Sequence, residues 1–213
     1  IQTNGGPLNS PYCISNFYEV DEEYGTLEDL RTFVAEAHSR NMAVILDWVA
    51  NHTSWDHPWI DSTGWYTTDA QGNIIHPSGT NWTDVADLNF DNTALQEQMI
   101  DAMRYWVLEA NVDGYRCDAA DYVPFDFWQK AIDSLRIIPN REIIMLAEGA
   151  RVDHFDAGFD MNFDWNFYNK GKEIFNQGPP ATHWATLHQY TYGSIEEGKH
   201  KLRFTSNHDE CAW

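Results

Sequence analysis

The strongest constraint on this chain's fold is a repeated pattern: short apolar runs that each lead into an acid. Met42-Ala43-Val44-Ile45-Leu46-Asp47-Trp48-Val49 is the first run. Val112-Asp113-Gly114-Tyr115-Arg116-Cys117-Asp118-Ala119 is the second, and Glu142-Ile143-Ile144-Met145-Leu146-Ala147-Glu148-Gly149 the third. A fourth run, residues 201–207, is followed by Asp209. The segment 42–49 is continuous in its apolar character apart from Asp47, which reads as a strand buried on both faces, as in a parallel sheet. A further short strand is expected near 157–163.

Helical patterns lie between these runs. Leu27, Leu30, Phe33, Val34 and Ala37 recur at helical spacing over 27–40, with Asn41 as a C-cap. Further helices are expected over 93–110, 125–136, 164–176 and 180–190. Residues 1–26 are loop-like, with turn signals at Asn4-Gly5-Gly6-Pro7 and Ser10-Pro11. The polar stretch 53–92 is too long for an ordinary connection and predicts a small inserted subdomain or a functional loop. The alternation of helices with apolar strands predicts an α/β fold.

Placement of the acids narrows the fold. Asp47, Asp118, Glu148 and Asp209 each fall at or just past the end of an apolar run. A charge there is costly unless it is paired or used. Acids gathered at the C-terminal ends of several strands are the mark of a (β/α)8 barrel active site. An open doubly wound sheet also binds ligands at its strand C-termini. No GxGxxG or GxxxxGK[ST] element occurs, which argues against the phosphate-binding form of that alternative.

Composition limits the partners. Thirteen Lys and Arg against 33 Asp and Glu give a formal net charge of −20, which repels nucleic acid and anionic membranes. No apolar run is long enough to span a membrane. Cys13, Cys117 and Cys211 form no CxxC pair, so no zinc or dithiol motif is supported and at most one disulfide is possible. Aromatic residues make up 15% of the chain, enough to build either an aromatic core or flat platforms for sugar rings.

Four segments carry the chemistry: Asp47-Trp48-Val49-Ala50-Asn51-His52, Gly114-Tyr115-Arg116-Cys117-Asp118-Ala119-Ala120, Leu146-Ala147-Glu148-Gly149 and Phe204-Thr205-Ser206-Asn207-His208-Asp209. In this order and at these intervals they resemble the signature regions of the α-amylase family, glycoside hydrolase family 13. Val85-Ala86-Asp87-Leu88-Asn89 resembles a further short region of that family, and Ser10-Pro11-Tyr12 through Asp21-Glu22-Glu23-Tyr24-Gly25-Thr26 looks like its loop after barrel strand two. Nearly the whole chain is covered. The resemblance implies a (β/α)8 barrel of which this chain holds about strands three to seven, within 1–213. The segment 53–92 would be the subdomain inserted after strand three. Strands one, two and eight have no counterpart, and both ends look cut, so a partial catalytic domain is expected.

The resemblance also implies roles. Cleavage with retention needs two carboxyls about 5–5.5 Å apart. Asp118 would be the nucleophile, Glu148 the general acid/base, and Asp209 the third carboxylate that binds sugar hydroxyls. Tyr12, His52, Arg116 and His208 would contact substrate, and Asp47 would orient Arg116. Alternation along a strand puts Arg116 and Asp118 on one face, where the guanidinium would keep the carboxylate ionised, while Cys117 faces the helices. The apolar run before Glu148 would raise its pKa, as a general acid requires. Asn51, Asp87 and a carbonyl near Tyr122 would hold a structural Ca²⁺; alternatively they only hydrogen-bond the subdomain to the barrel.

The implied substrate is an α-1,4-glucan such as starch, glycogen or a maltooligosaccharide, cut by double displacement. An α-glucosidase or a glucanotransferase of the same family fits the same motifs. A non-catalytic carbohydrate-binding relative would be expected to lack one of the three acids. One departure stands out: Asp121-Tyr122 occupies the place where many α-amylases carry a Lys-His pair contacting the leaving-group sugars. A polymer substrate implies a secreted, periplasmic or cell-surface enzyme, monomeric at full length.

Overall fold

The computed structural model describes residues 10–178, 180–193 and 195–210. Seven strands and five α-helices follow one another along them: α1 (Leu27–Ser39), β1 (Ile45–Trp48), β2 (His52–Ser54), β3 (Val85–Asp87), α2 (Thr93–Glu109), β4 (Gly114–Cys117), α3 (Phe125–Arg136), β5 (Ile144–Ala147), β6 (Met161–Phe163), α4 (Trp165–Gln177), α5 (Thr182–Tyr192) and β7 (His200–Leu202).

Local signals fix the helix boundaries. Thr26 and Asp29 form a capping box on α1, with the Asp29 carboxylate accepting from the Thr26 N–H at 2.8 Å. Arg40 is the C-cap, and Asn41 follows it in the left-handed region at φ 57°, turning the chain into β1. Asn92 caps α2 by accepting from the Leu95 N–H. The buried residues of α2 are Leu95, Met99, Ala102, Met103, Trp106 and Val107, a stripe at helical spacing. The corresponding stripe of α3 is Phe127, Trp128, Ala131, Ile132 and Leu135.

Five strands form one parallel sheet in the order β1-β4-β5-β6-β7. Neighbours in the sheet follow one another in chain order, with β2 and β3 set aside as a separate antiparallel pair. Parallel strands joined through helices in sequential order are the construction of a (β/α) barrel wall. Gly114 starts β4 because nothing larger fits: an added Cβ would lie 1.9 Å from the Ile144 carbonyl oxygen of β5.

Two sequence expectations need correction. β1 is not buried on both faces: Ile45 and Leu46 are half-buried and Asp47 is exposed. No described strand pairs with its outer side, so β1 is an edge. The last strand is short, ending at Leu202 rather than running to 207. Asp209 therefore lies in an irregular segment well past the strand end. There Asn207 accepts from the N–H groups of Asp209 and Glu210.

The segment after β1 leaves the sheet through β2 and returns through β3, with His52 opposite Asp87. Trp55, Trp59, Ile60 and Trp65 of this excursion pack against the main core. Phe17 joins them, within 5.1 Å of the Trp48 ring and 5.0 Å of the Trp59 ring. Cys13 and Cys117 are buried free thiols, and Cys211 lies outside the described residues.

Candidate active site

Strand register sets the site out in levels. Asp47 lies opposite Arg116, and Trp48, Cys117 and Ala147 form the next level across β1, β4 and β5. Asp118 and Glu148 come one residue later, past the ends of β4 and β5. The pairing reaches them: the Asp118 N–H donates to the Trp48 carbonyl and the Glu148 N–H to the Cys117 carbonyl, both at 2.9 Å. The sheet itself therefore places the two carboxyls side by side.

Arg116 ties them together. Its Nη1 donates to Asp118 Oδ1 at 2.6 Å and to Asp47 Oδ1 at 2.8 Å. Its Nη2 approaches Glu148 Oε2 at 3.5 Å and has no hydrogen-bond partner, a buried donor left facing a carboxylate. Glu148 Oε2 also accepts from the Ala119 N–H at 2.7 Å. The setting of Glu148 is thus polar, not the apolar pocket its preceding residues suggested. Arg116, expected among the substrate-binding residues, does not line the cavity; it is buried one level below as a support.

The Asp118 carboxyl also departs from expectation. Burial pushes it up from 3.8 to about 6; Arg116 opposes that rise, and Glu148 and Asp47 add to it. Desolvation outweighs the guanidinium here, because a nearly closed carboxyl loses most of its hydration while Arg116 divides its charge among three acids.

A cavity of about 410 Å³ opens above these carboxyls. Tyr12, His52, Asp118, Glu148, His208 and Asp209 all line it, so the described structure gathers the three acids and three of the ring side chains named from the sequence. Tyr12 stacks on His208 with centroids 5.7 Å apart and planes at 16°. The Tyr12 hydroxyl lies 2.7 Å from His208 Nε2 and donates to Asp47 Oδ2 at 3.1 Å. Asp209 is half exposed, with Oδ2 3.2 Å from His208 Nε2. Burial lowers His52 to about 4, so it is neutral near pH 7. The Asn51 amide lies 3.2 Å from His52 Nδ1; an amide N–H can only donate, which leaves the ring proton on Nε2.

Asn51 and Asp87 flank the open end of the β2–β3 pair: Asp87 lies opposite His52, and the Leu88 N–H donates to the Asn51 carbonyl one step beyond. Burial raises the Asp87 carboxyl, and a Thr67 hydrogen bond opposes that rise. Both residues offer oxygen donors of the kind calcium takes. The Tyr122 side chain lines the cavity and packs on Trp82 with centroids 5.5 Å apart. Among the described residues no three His, Cys, Asp or Glu side chains are grouped as a metal ion would need.

Two aromatic wall residues had no role from the sequence. Trp82 packs between His52 and Tyr122, and Trp165 lines the cavity beside Phe163 and Phe204. Trp165 follows β6 closely, so the strand-end rule that found the acids could have found it. Nothing local marks Trp82, which reaches the site only through the return of the long excursion.

Comparison with known proteins fits this geometry. The chain matches the family described as "Alpha amylase, catalytic domain" over residues 6–73 and 79–190. It is 27% identical to the α-amylase MalA of Haloarcula japonica, over 95% of this chain and 31% of that protein. It is 35% identical to the trehalose synthase/amylase TreS of Mycobacterium tuberculosis, over 53% of this chain and 24% of that protein. Among solved structures, a noncanonic maltogenic α-amylase, AmyB of Thermotoga neapolitana, superposes with a TM-score of 0.86 at 34% identity. That match covers 96% of this chain and 48% of AmyB, so the chain spans about a quarter to a half of these relatives.

Proposed function

Because this chain belongs to the α-amylase catalytic-domain family, we propose that it carries the active site of a retaining glycoside hydrolase acting on α-1,4-glucosidic bonds of starch, glycogen or maltooligosaccharides. One observation carries the reading: Asp118 and Glu148 stand past the ends of adjacent strands on the two arms of one buried guanidinium.

The chemistry follows from that arrangement. Asp118, as carboxylate, attacks the anomeric carbon and forms a glycosyl ester. The C–O bond to the leaving sugar breaks, and its electron pair stays on the oxygen, which takes the proton of Glu148. Glu148, now a carboxylate, removes a proton from water. The water oxygen attacks the same carbon, and Asp118 leaves as carboxylate. Asp209, His208 and neutral His52 hold sugar hydroxyls, and Tyr12 supplies a stacking face. As Glu148 ionises, Arg116 Nη2 gains a charged acceptor for its unpaired N–H.

A calcium ion belongs to the proposal at Asn51 and Asp87, where a half-buried carboxylate would gain a counter-charge. It would staple the excursion to the sheet and takes no part in a step. A second reading, transfer to a sugar hydroxyl instead of water, uses the same intermediate; the likeness to a trehalose synthase/amylase favours keeping it. Outside the cytoplasm is the place proposed for a polymer-degrading enzyme, and a monomer its proposed state.

The test follows maltooligosaccharide cleavage by the full-length protein with proton NMR. The α-anomer should appear first, and initial release of the β-anomer would sink the retaining assignment. Products longer than the substrate would assign transfer.

A further inference from the structure

Asp121 stands three residues after Asp118, yet its contacts lie on the segment that follows Glu148. Its Oδ2 accepts from the Ala150 N–H at 3.1 Å and its Oδ1 from the Arg151 N–H at 3.2 Å. Arg151 reaches back, donating from Nη1 to the Asp121 carbonyl at 3.2 Å and to the Val123 carbonyl at 3.1 Å. Gly149 lies in the space between. An added Cβ there would come within 2.4 Å of Asp121 Oδ1 and 2.7 Å of His154 Cε1. His154 is buried, with Nε2 3.3 Å from Asp121 Oδ1 but out of hydrogen-bonding geometry.

The same segment grips Glu148 itself. The Ala119 N–H donates to its side chain at 2.7 Å and the Ala120 N–H to its carbonyl at 3.0 Å. Residues 119–121 therefore hold the acid at its carboxyl, its carbonyl and the two amides that come after Gly149. A turn fixed at one end only would let the carboxyl swing, and displacement by about 1 Å costs on the order of 10²-fold in rate.

We propose that Asp121 is a positioning residue that clamps the turn 149–151 and so aims the Glu148 carboxyl at the leaving oxygen. This rests on the acid role of Glu148 proposed above. It also gives the acidic departure at Asp121 a purpose: the residue lines the cavity, but both of its carboxylate oxygens accept from the protein's own backbone.

The test compares Asp121→Ala and Asp121→Asn in the full-length protein on two substrates. Maltooligosaccharide needs a proton on its leaving oxygen, whereas fluoride leaves α-glucosyl fluoride with little such help. Asp121→Ala should lower kcat/KM, which reports formation of the glycosyl ester, about 10–100-fold on maltooligosaccharide and less than about threefold on the fluoride, with the maltooligosaccharide KM nearly constant. Asp121→Asn keeps one carbonyl acceptor and should recover part of the loss. Hydrogen exchange at the Ala150 and Arg151 amides should quicken about tenfold or more in Asp121→Ala. An equal loss on both substrates, a change confined to KM, or unaltered exchange would overturn the proposal. Glu148→Gln on the same pair separates the two ideas. It should reproduce the substrate bias more strongly, and if it left maltooligosaccharide cleavage intact, the acid role itself would fall.

Discussion

The two sides of the cavity are held in different ways. On one side Asp118 and Glu148 extend the sheet hydrogen bonding, share the buried Arg116 and sit mostly out of solvent. On the other, Asp209 and His208 occupy an irregular segment, about half exposed, held by the Asn207 side chain and the Tyr12 ring. A carboxyl built into a sheet is coupled to folding; one held by a turn and a ring is coupled mainly to ligand. The first side should therefore trade stability for function, and the second should not.

Asp118→Asn gives the largest expected effect on rate. Removing the nucleophile should lower kcat at least about 10³-fold while the fold survives, as circular dichroism would show. Activity within tenfold of the parent would remove Asp118 from the role. Arg116→Leu comes next and tests the coupling directly. It leaves Asp47, Asp118 and Glu148 without their shared cation, so unfolding should become easier by about 3 kcal/mol, with activity lost alongside. A melting temperature equal to the parent's would break the comparison.

Asp209→Asn probes the other side. A loss of about 10²-fold in kcat/KM is expected, with a melting temperature unchanged to within about 1 °C, because among the described residues the half-exposed carboxyl meets only its neighbour His208. A clear drop in stability would put both sides in one class.

The smallest effect concerns pH. The folded state binds the Asp118 proton more tightly than the unfolded chain does, since burial raises the carboxyl from 3.8 to about 6. Its stabilising contribution is therefore whole below about pH 4 and is lost as pH rises to about 6. Asp118→Asn escapes that loss. Its melting temperature should match the parent's near pH 4 and exceed it by about 2–4 °C above pH 6. The same difference at every pH would mean that the carboxyl does not titrate as its burial implies.

Much of this was legible in the sequence. The helix over 125–136 and the run of strands came from spacing and apolar continuity alone, because those signals are local. The burial of β1 was not: its composition suits two buried faces, yet Ile45 and Leu46 are half-buried and Asp47 is exposed, and among the described strands only β4 pairs with it. Asp209 was placed at a strand end because 201–207 is strand-like in length and composition, whereas the chain there leaves the sheet after Leu202. Trp82 gave no sign, since its partners His52 and Tyr122 are distant in sequence.

By itself, the sequence determined the order of elements, the parallel sheet and which acids stand past the ends of β4 and β5, since a strand's two-residue period fixes which side chains share a face. The tertiary structure alone decided that burial beats Arg116 at Asp118, that Glu148 sits among polar groups, and that Asp121 turns to its neighbouring backbone. Hydration lost, and the partners met across a fold, depend on what packs against a residue from elsewhere in the chain.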